Sequence, residues 1–180
     1  NRIVDTPCPL KTIENNLVAS FQHGDEQRYV VAFEFMQGSE PEESDDLAQG
    51  FYQLGEITAR LHQHASQWIT PADFSRKIWD FETTLGSHPH WGDWRAALGL
   101  DSDGKNQLDG CINLLAQQLD DYGSSPDRFG LIHADLRLAN LLVEDDDRLS
   151  VIDFDDCGFG WYMYDFAAAI SFIETSPQIP

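Results

Sequence analysis

The spacing of apolar positions divides the chain into a β-rich opening, two amphipathic helices and a late pair of short strands. Leu17–Phe21 and Tyr29–Met36 are apolar runs of strand length around the polar turn His23–Gln27, and they predict a hairpin closed by Gln37-Gly38-Ser39. Glu42–Asp46 reads as a solvated linker leading into a helix, where acidic groups favour the first turn through the helix dipole. Leu47, Phe51, Leu54, Ile57, Leu61 and Ala65 then recur at helical spacing, predicting a long helix to about His64. Leu108, Ile112, Leu115, Leu119 and Tyr122 predict another, ended by Gly123–Pro126. Asp101–Lys105, just before it, reads as a polar turn; its Gly comes too early for a calcium loop and no Glu closes it. Leu141–Val143 and Leu149–Ile152 flank the acidic turn Glu144–Asp147 and predict a hairpin of short strands. Asp165–Ile173 reads as a short apolar helix. No repeat and no low-complexity segment interrupts this order.

Composition narrows the class. At 180 residues with 42% hydrophobic and 12% aromatic residues, this is one folded domain's worth of chain. The formal net charge of −20 opposes nucleic-acid binding, which needs basic side chains against phosphate. The same field would draw a cationic small molecule toward a cleft, although acidic surfaces also serve solubility alone. No apolar run is long enough to cross a bilayer and no leader opens the chain, so a cytoplasmic, membrane-free location is expected. Cys8, Cys111 and Cys157 are too scattered for a disulfide framework or a zinc site.

The candidate chemistry lies between Leu131 and Asp165. Asn140 precedes the first late strand and Asp153 closes the second, so pairing of the strands brings the two together. Asp135 stands five residues before Asn140, on a loop held by the same hairpin. Such a trio suits phosphoryl transfer, which asks for positioning and charge neutralisation rather than covalent help. A hard cation such as Mg²⁺ takes few protein oxygens, and Asn140 and Asp153 would supply them. Asp135 would then orient the attacking hydroxyl.

His133-x-Asp135-Leu136-x-x-x-Asn140 and Asp153-Phe154-Asp155 resemble the catalytic loop and metal-binding motif of protein kinases. The closer resemblance is to the aminoglycoside phosphotransferase and choline kinase superfamily. It rests on His133 to Asn140, Ile152-Asp153 and Tyr164-Asp165-Phe166-Ala167, and spans about residues 13 to 175. It implies an α+β, protein-kinase-like fold. Residues 1–38 would be a remnant of the small β lobe with the hinge. Residues 39–180 would be a partial large lobe with a catalytic loop (131–143) and a metal-binding strand (149–155). The resemblance makes Asp135 the catalytic base, Asn140 and Asp153 the metal ligands, and Asp165 a brace for the loop. Arg137 stands where protein kinases place a catalytic-loop Lys, which leaves it either at the transferring phosphate or on the surface. The backbones of Glu34 and Met36 would face the adenine of ATP (or GTP), with Phe33 behind it and Leu142 and Ile152 beneath. His62 would be a packing and hydrogen-bonding residue. A variable helical insertion is implied around Trp68, Trp79, Trp91 and Trp94; its aromatics either pack or cover a substrate cation.

The departures bear on the size of the acceptor but not on its identity. Ala134 replaces the Arg that reads a phosphorylated activation loop, and no long segment fits between Asp153 and Asp165. A small hydroxylated acceptor therefore fits better than a peptide, with an atypical protein Ser/Thr kinase and a non-catalytic nucleotide-binding domain as the alternatives. A Gly-rich loop and its partner Lys are missing, and the chain starts without Met, so a fragment of a longer enzyme is expected.

Overall fold

The computed structural model describes residues 4–42, 47–145, 148–171 and 173. The opening is two separate antiparallel pairs. Strands β2 (Ala19–His23) and β3 (Glu26–Val30) pair around a two-residue turn in which Gly24 takes φ +61°. Strands β1 (Pro9–Leu10) and β4 (Ala32–Phe33) form the other pair. The single strand expected over Tyr29–Met36 is thus split at Val31, where the chain leaves one partner and takes another. Beyond Phe33 it reaches Ser39, whose N–H and C=O exchange bonds of 3.0 and 2.9 Å with Val143. This bridge staples the end of the opening segment to the late hairpin.

Helix α1 (Leu47–Gln67) follows the expected periodicity. Leu54 and Ile57 bury its inner face against Leu136, Leu141, Leu149, Val151 and Ala169, the main core. The late hairpin is present, with β7 (Leu141–Val143) antiparallel to β8 (Leu149–Val151); Asp146 and Asp147 of its acidic turn lie outside the described residues. Leu141 and Val151 are directly paired and both point into the core, so hydrophobic burial fixes the register.

Three readings are corrected. Asp101–Lys105 is the start of helix α3 (Ser102–Tyr122), because the Asp101 carboxylate caps it by accepting from Gly104 N at 2.8 Å. The last helix, α4, spans Tyr162–Ala169 rather than starting at Asp165. The Trp-rich stretch is mostly not helical: it holds strand β5 (Lys77–Trp79), the single turn α2 (Phe81–Thr84) and a 3₁₀ turn at Trp94–Ala96. Strand β5 runs parallel to β9 (Gly158–Trp161), which runs antiparallel to β6 (Phe129–Ile132). Glycine is required in β9 by close approach, since a Cβ on Gly158 would sit 2.8 Å from the Trp79 indole nitrogen. Trp79 itself is 1% exposed.

Candidate active site

Strand β6 ends at Ile132 and delivers His133, Ala134 and Asp135 into a loop that turns sharply at Ala134, with φ +71°. An alanine in that region costs about 1–2 kcal/mol, so the turn needs an external hold. Asp165, buried on α4, supplies it. Its two carboxylate oxygens accept from Ala134 N at 2.7 Å and His133 N at 3.2 Å, and the second also takes His62 Nε2–H at 2.8 Å. His62 comes from α1, so one buried carboxylate ties α1, α4 and the loop together.

His133 is a strut across the site. Its Nε2 faces Ile152 O at 3.0 Å and its Nδ1 accepts from Asp135 N at 3.3 Å, which requires the neutral ring with the proton on Nε2. Burial pushes its pKa below the ordinary 6.5, against the opposing charges of Asp165, Asp135 and Asp153. The strut therefore joins the loop that carries Asp135 to the strand end that carries Asp153.

Asp135, Arg137 and Asn140 are in direct contact. Asn140 is buried, and its Nδ2 donates to Asp135 Oδ2 at 2.6 Å and Asp135 O at 2.8 Å. Arg137 Nε lies 3.2 Å from the same carboxylate. The hairpin ladder continues past Leu141–Val151 through Ile152 N donating to Asn140 O at 3.0 Å, so Asp153 is the residue just beyond Asn140's partner. Asp153 also takes a left-handed φ of +64° and is exposed. With the Asn140 amide nitrogen spent on Asp135, its amide oxygen is the acceptor left over, and the backbone register puts residue 153, a carboxylate, one position beyond Asn140's partner. Among the described residues no cluster of three His, Cys, Asp or Glu could hold a metal. That donor set fits a cation that takes few protein oxygens and completes its shell with phosphate and water.

The expected nucleotide-side residues are spread along the opening and the hairpin. Phe33 is 53% exposed in β4, and the Glu34 N–H is bonded to Cys8 O at 2.9 Å, which leaves its carbonyl as the group able to serve a base. Met36 is half-buried. Gly38 packs so closely on β7 that an added Cβ would lie 3.2 Å from that of Leu142. Leu142 and Ile152 are half-buried in and beside the hairpin.

Trp79 and Trp91, expected either to pack or to cover a cation, do line a cavity, whereas the parts played by Asp156 and Arg76 were not expected. A cavity of about 550 Å³ opens beside Asp135 and Arg137, walled by Trp79, Trp91, Tyr164 and Asp156. Trp79 stacks on Trp91 at 5.7 Å and on Tyr164 at 6.2 Å, and its indole N–H donates to Asp156 O at 2.8 Å. Burial raises the Tyr164 pKa, and the charges of Asp156, Asp135 and Asp165 add to it, so the phenol stays a neutral donor. Arg76 grips the segment after Asp153, donating to Cys157 O at 2.5 Å, Asp155 O at 2.6 Å and Phe154 O at 2.8 Å. One signal pointed to this region: Arg76-Lys77 is the only adjacent basic pair in a chain with 11 Lys and Arg against 31 Asp and Glu.

The α+β, protein-kinase-like fold, with its Asp135–Asn140 loop beside a short β-hairpin, defines the class of kinase-like phosphotransferases. The chain belongs to the phosphotransferase enzyme family, whose pattern matches residues 10–179. A solved microcompartment-associated aminopropanol kinase is 47% identical with a TM-score of 0.87, over 97% of this chain and 55% of that one. An amicoumacin kinase solved with AMP-PNP and Ca²⁺ is 23% identical with a TM-score of 0.70, over 98% of this chain and 50% of that one. Amicoumacin kinase of Bacillus subtilis (strain 168) is 25% identical over 174 residues, 96% of this chain and 48% of that protein. The chain thus spans about half the length of these relatives.

Proposed function

We propose that this chain is the acceptor- and metal-binding part of an enzyme that transfers the γ-phosphoryl of Mg-ATP (or GTP) to the hydroxyl of a small, amine-bearing molecule. The observation that carries the reading is the position of the Asp135 carboxylate. It is anchored by Asn140 on one side and lines an aromatic, acid-edged cavity on the other. A hydroxyl seated in that cavity donates to Asp135, which orients it and receives its proton as the hydroxyl oxygen bonds to the γ-phosphorus and the β,γ-bridging P–O bond breaks, releasing ADP (or GDP). Asn140 and Asp153 would hold the Mg²⁺, which would supply neutralisation of phosphate charge. Arg137, beside Asp135, balances charge on the transferring group.

The acceptor's amine follows from the walls. Trp79, Trp91 and Tyr164 offer ring faces, and Asp156 offers a carboxylate, the combination that attracts an ammonium. The similarity to an aminopropanol kinase and to amicoumacin kinases agrees in chemistry. On the nucleotide side, Glu34 and Met36 contribute backbone and Phe33, Leu142 and Ile152 contribute surface. The Ser39–Val143 bridge supports taking residues 1–38 as the hinge side and 39–180 as the catalytic side. Among the described residues no helix is long and apolar enough to cross a membrane, and the three cysteines are free thiols, which supports a cytoplasmic setting.

The test is Asp135→Asn in the full-length protein, assayed with Mg-ATP against a panel of amino alcohols. Transfer should fall about a hundred- to ten-thousandfold with an unchanged melting curve. Full activity in the variant would remove Asp135 from the chemistry.

A further inference from the structure

Arg137 lines the cavity beside Asp135, and a second cation, Lys77, which is not itself a lining residue, contacts three of its walls. Lys77, on strand β5, places its ammonium 2.5 Å from Asp156 Oδ1, 5.2 Å from the Trp79 ring centre and 5.5 Å from that of Trp91. Those three groups are also walls of the cavity beside Asp135. The carboxylate and the aromatic faces that would attract a substrate ammonium are therefore engaged by a primary ammonium of the protein's own. The Lys77 side chain is 44% exposed while that of Asp156 is 17% exposed. The lysine is thus the more exposed member of the pair, and Asp156, whose backbone carbonyl accepts from the Trp79 indole, is the more buried one.

We propose that Lys77 is a specificity-determining residue of the acceptor site, an internal stand-in that an acceptor's ammonium must displace from Asp156. The inference rests on the acceptor reading above and adds to it a competition. A primary ammonium replaces Lys77 in kind, since it carries the same charge and the same N–H donors. A quaternary ammonium has no N–H to return to Asp156 and displaces Lys77 poorly. A neutral diol cannot displace it at all and binds with Lys77 in place. Lys77 thereby lowers the affinity for every ammonium acceptor, and it keeps Asp156 paired when the cavity is empty.

The experiment compares wild-type full-length protein with Lys77→Met and Lys77→Arg, using 1-amino-2-propanol and 1,2-propanediol, which share a hydroxyl and differ in the ammonium. The first readout is the ratio of kcat/KM for amine over diol. The second is quenching of tryptophan fluorescence on titration with 1-amino-2-propanol, which needs no turnover. Lys77→Met should raise the selectivity ratio roughly fivefold and tighten amine binding by a similar factor, the size of an exposed ion pair plus a cation–π contact. Lys77→Arg, which keeps a cation, should stay near wild type. If Lys77→Met does not fold, Lys77→Gln carries the same expectation. An unchanged or reduced ratio, with no tightening of amine binding, overturns the proposal. The acceptor reading fails separately, by an absence of transfer to either compound in the wild type; tightening of amine binding in Lys77→Met would still support the stand-in role.

Discussion

Removing the charge at Asp165 should destabilise the fold measurably and loosen the loop that carries Asp135. The Asp165 side chain has no exposed surface, and it accepts from two backbone N–H groups and from His62. In Asp165→Asn one oxygen remains, and Ala134 N, at 2.7 Å, is its natural partner. The new NH₂ then faces His133 N–H, donor against donor, and a buried N–H left without an acceptor costs about 1–3 kcal/mol. The loop it holds includes Ala134 at φ +71°, whose intrinsic cost of about 1–2 kcal/mol is relieved if the turn relaxes, which offsets part of the loss. A destabilisation of about 1–3 kcal/mol at most follows, or roughly a 2–12 °C drop in Tm for a protein of this size class. Asp165→Ala, which orphans both N–H groups, should be worse. Urea unfolding of the full-length variants gives the stability. Phosphoryl transfer measured well below the transition gives the effect on the loop, where kcat should fall because Asp135 is no longer fixed. An Asp165→Asn variant within about 0.5 kcal/mol of wild type and with unchanged kcat would refute the bracing role.

Three further outcomes are expected. Arg76→Ala strips three charge-assisted bonds from the carbonyls of Phe154, Asp155 and Cys157, so a Mg²⁺ titration of activity should shift to higher concentration, with Arg76→Lys recovering part of the loss. For His133, the folded pKa lies below 6.5, so below that pH the unfolded chain binds a proton that the folded one refuses. Its contribution is therefore intact above about pH 6.5 and is lost as pH falls toward the folded value. Urea midpoints at several pH values, compared with His133→Asn, should show the wild type falling more steeply on the acid side. Leu136→Ala, at a site with no exposed surface in the main core, should destabilise by about 2–5 kcal/mol, read by thermal melting.

What the sequence determined by itself was local. The 3.6-residue spacing from Leu47 onward specified α1, because burying one stripe of a helix needs only that stripe. The paired apolar runs at 141–143 and 149–151 specified the hairpin, and with it the neighbourhood of Asn140 and Asp153. The loop from His133 to Asn140 was legible for the same reason, since the Asp135–Asn140 contact spans only five residues. The start of α3 was misread because an Asp followed three residues later by Gly has the same local chemistry whether it caps a helix or makes a turn. Tertiary structure decided the rest. Strand β9 reads Gly-Phe-Gly-Trp, in which the glycines are poor strand formers; they fit because β5 and β6 pair it on both sides and Trp79 packs into the space that they leave. The hold of Asp165 on Ala134 spans 31 residues, and that of Arg76 on Cys157 spans 81. The cavity beside Asp135 likewise joins Trp79 and Trp91 to Asp135, Asp156 and Tyr164. Local pattern records what each segment must bury, whereas these contacts depend on which distant surfaces the buried faces bring together, and only the packed chain specifies that.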